Sequence, residues 1–162
     1  MQLSHGPGQP SDTEAKLASF ILHVDIFHTE SVPKNLNPDE VAAFIRKHVG
    51  PTSDLRQLLQ TEKVVDFYDL QSLSGYLHEL LRPLQADAGK LRSAVIIARM
   101  LALVGSPRDV GAAAVAFQSL APKARTLADL QELMFLFDAL NGAATLAPLR
   151  DRAAAIASEL EK

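Results

Sequence analysis

The segment HVDIFH, residues 23 to 28, gathers the side chains best suited to hold a metal: His23, Asp25 and His28. On a helix Asp25 and His28 lie three apart and share a face, but His23 sits about 140° round the axis from His28, so three ligands do not converge. Neither the Glu-x-x-His pair of a di-iron bundle nor the His-Glu-x-x-His of a zinc hydrolase accompanies them. The cluster reads as a solvated helix end, and no metal or other cofactor is expected. His48 falls on an apolar stripe and His78 stands beside Glu79 within LHELL, positions typical of hydrogen-bonded packing histidines. A serine nucleophile would need an elbow such as Gly-x-Ser-x-Gly, which is missing. Asp66 with Asp69, and Asp39 with Glu40, read as surface or first-turn acids. With no Cys, thiolate chemistry and disulfides are excluded.

Arg92 and Arg99 carry more information. They lie seven apart on one face of a segment made largely of Val, Ile, Leu and Ala, and two guanidinium groups two turns apart can read a carboxylate-bearing partner. The competing reading has them snorkel, or pair with Asp129, Glu132 or Asp138 on a neighbouring helix. Phe67, Tyr68 and Tyr76 are aromatics of the kind enriched at interfaces, though core packing is the better account of them. Arg92, Arg99, Phe67, Tyr68 and Tyr76 are therefore the candidate partner contacts. A second arrangement places a ligand or catalytic site in the core around His48, His78, Arg92 and Arg99.

The elements that must position these groups are helical. In LALVGSPRDVGAAAV, residues 101 to 115, Gly105 suits a left-handed helix stop, Ser106 an N-cap and Pro107 the first helical position, with Asp109 in the first turn where the helix dipole favours a carboxylate. That is a corner between two helices. The lysine of a phosphate loop is missing and GAAAVAF is too apolar to read DNA, which leaves Arg108 at the helix start as a lesser anion candidate. A related corner, NGAAT, places Gly142 37 residues after Gly105, within the range of helical-hairpin repeats.

Ser11 and Glu14 form a capping box ahead of the stripe Leu17, Phe20, Ile21 and Val24. Asn37 and Pro38 open a second helix with Val41, Phe44, Ile45, His48 and Val49 inward, stopping at Gly50 and Pro51. Residues 52 to 82 predict two helices, and PLQADAGK, from Pro83, is the best internal break. Residues 90 to 104, 107 to 120 and 127 to 141 are apolar on most sides, as helices covered all round are. Residues 145 to 161 carry the narrow stripe Leu146, Leu149, Ala153, Ile156 and Leu160, suited to docking on one neighbour or pairing with a second copy.

The expected fold is all-α: six to eight antiparallel helices, as an irregular α-hairpin stack of HEAT/TPR-like superhelical type or a compact bundle wrapped around residues 90 to 104. Residues 1 to 10 read as a disordered lead-in and 11 to 162 as a single domain. The net charge of −3 gives no electrostatic footprint for nucleic acid. The longest apolar stretch, AVIIARMLALV, falls short of the roughly 20 residues that span a bilayer. Together these features predict a cytoplasmic, non-enzymatic module, an adaptor, chaperone or scaffold, that binds another protein or peptide through a helical groove or its last helix. A small helical enzyme or ligand-binding protein is the rival.

Overall fold

The computed structural model describes residues 12–23 and 31–161, and among them it contains eight α-helices and no strand. They are α1 (Asp12–Leu17), α2 (Pro38–His48), α3 (Leu55–Phe67), α4 (Ser74–Ala86), α5 (Leu91–Val104), α6 (Pro107–Leu120), α7 (Leu127–Leu140) and α8 (Ala147–Leu160). None is long and apolar enough to cross a membrane.

Local sequence explains most helix ends. The Asn37 side chain caps α2 by accepting from the Asp39 and Glu40 backbone N–H groups, with Pro38 behind it. Asp54 with Gln57 and Thr126 with Asp129 form reciprocal capping boxes on α3 and α7. Gly105 closes α5 at φ +86°, and Ser106 opens α6 by accepting from the Asp109 N–H. The related corner after α7 takes the left-handed region twice, at Asn141 and Gly142.

Helices α3, α4, α6 and α7 each pack on α5, and α8 closes the end of the bundle on the turn Ala121–Lys123. Helices α3, α5 and α7 form one layer in which all three point the same way: their first turns line a common cavity, and mid-helix Arg99 of α5 reaches Glu62 of α3 and Glu132 of α7. Helices α4 and α6 run the opposite way on the other side of α5, their starts joined through Ser74 and Asp109. Helix α5 is the most covered of the described helices, with Leu91, Ala94 through Ala98, Met100, Leu101 and Val104 buried and Arg92 its one exposed side chain. The stack thus winds around residues 91 to 104.

The structure differs from sequence expectation at several points. Helix α7 is a flanking helix: Leu127, Met134 and Phe135 are exposed, as is Val115 on α6, because neither helix has a neighbour on its outer side. Helix α4 continues through Pro83 to Ala86, since the ring faces solvent and the Glu79 carbonyl left without its N–H donor lies on the same wet side. The break comes at Asp87, which caps the turn Ala88–Lys90. After Leu17 the first helix widens into a π-helical turn through Leu22, which buries both Phe20 and Ile21 and leaves the Phe20 carbonyl to accept from Gln60 at 3.2 Å. Ser11 and Val24 lie outside the described residues. His48, expected inward, is exposed at the end of α2 and packs on the Phe44 ring at 4.5 Å.

Helix α8 buries Leu149 and Ile156 against the corner Ala121–Lys123 that precedes α7, and the Arg152 side chain donates to the Ala124 carbonyl. Leu160, the last residue of its stripe, is exposed.

Two glycines test the backbone assignment with opposite signs. A Cβ on Gly105 would meet nothing closer than the Leu103 carbonyl at 3.5 Å, so its cost is in the dihedral, whereas Gly111 sits exposed inside α6 with nothing within 4 Å. Gly105→Ala is expected to lower stability by about 1 kcal/mol and Gly111→Ala to raise it by about 0.5–1 kcal/mol. Urea unfolding midpoints of the two variants check both signs.

Candidate functional site

Where the three parallel helices begin, the surface opens into a cavity of about 900 Å³. Its walls come from the connections ahead of α3, α5 and α7, so three helix N-termini, each the positive end of a helix dipole, point at one space. Five basic side chains line it, Arg56, Lys90, Arg92, Lys123 and Arg125, against two carboxylates, Asp54 and Asp129. Both carboxylates are committed. Asp54 accepts from the Gln57 N–H, and Asp129 accepts from the Arg125 and Thr126 N–H groups while facing Arg92 at 3.6 Å. Arg56, Lys90, Lys123 and Arg125 have no ion-pair partner among the described residues. A chain of net charge −3 thus concentrates unpaired positive charge at one end of one layer.

Two further features separate the three N-termini. Capping boxes close α3 and α7, whereas α5 continues from the Asp87-capped turn Ala88–Lys90 and has no side-chain cap of its own. Ser93, in the first turn of α5, lines the cavity, is 6% exposed, and its hydroxyl has no partner among the described residues. A buried serine whose hydroxyl has no partner is unusual in a native structure and points to a group supplied from outside.

The cavity belongs to a longer furrow. On one side it shares Lys123 and Arg125 with a hollow of about 280 Å³ that reaches Arg152 of α8. On the other it shares Arg56 and Leu59 with one of about 400 Å³ that ends at Leu103 of α5. The furrow is therefore basic in the middle, and at one end the leucines Leu59, which is exposed, and Leu103 stand among Glu62, Lys63 and Asp66.

The residues singled out from sequence fall into different places. Arg92 stands on the cavity rim, half-exposed beside Asp129. Arg99, seven residues on, is buried between Glu62 and Glu132, each at 2.6 Å, with its guanidinium 5.7 Å from the Phe135 ring centre. Burial pulls its pKa down, but the two carboxylates outweigh that and raise it, so Arg99 is a permanent cation already used within the fold. Glu132 was among the acids expected from sequence; Glu62 was not. Tyr68 and Tyr76 spend their hydroxyls on the carbonyls of Pro33 and Val49, fastening the connections around α2, while Phe67 is half-exposed against the Tyr68 ring.

His48, His78, Arg92 and Arg99 do not assemble. His48 is at the open end of α2, Arg92 and Arg99 are on the outer line of α5, and His78 faces Asp109 in the other layer. His23 is exposed at the end of the π-helical turn, and Asp25 and His28 lie outside the described residues.

The second polar cluster is structural. Asp109, 1% exposed, accepts from Ser74 Oγ at 2.6 Å, Ser106 Oγ at 2.5 Å and His78 Nε2 at 2.8 Å. Both serines donate to the acid, and neither hydroxyl faces the imidazole, so no base activates a nucleophile there. What the cluster does is pin the start of α6 to the start of α4. No protein-family model, curated protein or solved structure matches the chain.

Asp109 also fixes a pH dependence. Burial pushes its carboxyl up, but donation from Ser106, Ser74 and His78, with the charge of the imidazole, outweighs this and holds it below the usual carboxylate range. A depressed native pKa stabilises the fold above the unfolded value of about 3.9, and that contribution is lost as pH falls through the native value. Asp109→Asn should cost about 2–3 kcal/mol at neutral pH, and the gap to the parent should narrow below about pH 4. Urea midpoints measured across pH check this, and parallel profiles would show that the carboxylate charge is not what the cluster uses.

Proposed function

We propose that the protein is a non-enzymatic interaction module that seats an extended, acidic segment of another protein in the furrow formed by the starts of α3, α5 and α7. The observation that carries this reading is the run of adjoining hollows with four unpaired cations at its centre and the leucines Leu59 and Leu103 at one end. An elongated furrow suits an extended polypeptide, whose carboxylates meet Lys90, Lys123, Arg125 and Arg56 while one apolar side chain rests beside Leu59. A compact metabolite would use the central cavity alone.

The last helix, the other binding element expected from sequence, supports the reading less. Its two best apolar residues are already buried on the Ala121–Lys123 corner, which leaves Leu160 as its one exposed large hydrophobic.

Fluorescence polarisation with a short labelled Asp/Glu-rich peptide carrying one leucine tests the proposal on the full chain. Binding should weaken steeply with salt and fall by about tenfold or more in Arg125→Glu, because a rim cation becomes a repelling charge. Leu59→Asp should weaken the leucine peptide and leave its alanine counterpart little changed. Equal binding of a Lys-rich peptide of the same length would overturn the reading.

A further inference from the structure

We infer that the floor of the central cavity is a phosphoryl subsite, holding a phosphomonoester dianion carried on a side chain of the bound acidic segment. This rests on the acidic-segment reading of the furrow and names what its deepest point recognises. Three independent observations converge there. Helix α5, continuing from the turn Ala88–Lys90, has no side-chain cap of its own, while the starts of α3 and α7 are closed by capping boxes. Ser93 in the first turn of α5 is 94% buried and lines the cavity, and its hydroxyl has no partner among the described residues. Lys90 and Lys123, which end the turns Ala88–Lys90 and Ala121–Lys123, both reach the same space without an ion-pair partner.

The chemistry of the ligand follows from counting donors and charge. A carboxylate brings one negative charge and two oxygens, whereas a phosphomonoester brings a charge of about −1.5 to −2 and three acceptor oxygens at neutral pH. The hydroxyl of a buried serine at the positive end of α5, and two lysines with Arg125 beside them, offer more donors and more charge than a carboxylate can satisfy. The cavity, at about 900 Å³, also leaves room for the residues flanking the phosphoryl group, as a segment threading the furrow needs.

The test uses the full chain and two acidic peptides identical except for one central serine, phosphorylated in one of them. The phosphorylated form should bind about tenfold or more tightly, and inorganic phosphate should compete for that increment. Ser93→Ala, a substitution helices tolerate well, and the double variant Lys90→Ala with Lys123→Ala should abolish the increment, while Lys47→Ala on α2 should keep it. Circular dichroism confirms that each variant is folded. Equal affinity for the two peptides, both lost in Arg125→Glu, overturns the subsite and leaves the acidic-segment reading standing. Saturable binding of inorganic phosphate that depends on Ser93, with no binding of either peptide, supports the subsite and overturns the segment. Binding of neither probe overturns both.

Discussion

Arg99 holds the layer on which everything else depends. It is the one cation buried within this stack, and it reaches sideways from α5 to a carboxylate on each flanking helix, Glu62 and Glu132. Burying three charged groups is costly unless the geometry is good, and here each acid keeps partial solvent contact while the guanidinium fork makes paired, short bonds, two of them to Glu62. Removing the arginine would leave two carboxylates facing each other across α5, a defect of about 3–5 kcal/mol by the usual cost of breaking a buried pair. The clamp also fixes register. With Glu62, Arg99 and Glu132 aligned, the starts of α3, α5 and α7 come level at one edge.

That alignment turns an architectural habit into a site. Helices α3, α5 and α7 run the same way, so they present the same end to the same edge, and their dipoles add there instead of cancelling. Capping boxes on α3 and α7 neutralise part of that field; α5 has no side-chain cap of its own. The connections arriving at this edge bring Lys90, Lys123 and Arg125, and the opposite edge, where the α5/α6 corner lies, is instead sealed by Asp109 with its ring of Ser74, Ser106 and His78. One edge of the stack is satisfied internally and the other is left electrically open.

Much of the fold was legible because its signals are local. Gly105, Ser106 and Pro107 specify a helix end and a helix start within three residues, and Asn37 with Pro38 does the same, so these boundaries could be read one turn at a time. Pro83 misled because the cost of a proline depends on which way its ring and the freed carbonyl point, and both face water here. The exposed Phe135 and Met134 were illegible for a similar reason: an apolar helix says that it is able to be covered, not that the chain supplies a neighbour. The Arg99–Glu132 pair was foreseeable from facing helices, but Glu62 lies 37 residues away on a helix whose register only the assembled stack reveals. The cavity was missed altogether. Its trace in the sequence is the pair of Ala-x-Lys turns, at residues 88 to 90 and 121 to 123, 33 residues apart, which lead into α5 and α7.

The central claim is that the open edge of the α3/α5/α7 layer, and not the last helix, is where a partner binds. Backbone amide NMR of the full chain during titration with an acidic peptide tests it most directly, because it reports position without assuming which residues matter. The account predicts that the resonances that move cluster at residues 54 to 56, 90 to 93 and 123 to 126, with those of α8 beyond Ile156 unchanged. Shifts confined to the exposed end of α8 around Leu160, with Arg92 and Ser93 unmoved, would contradict it.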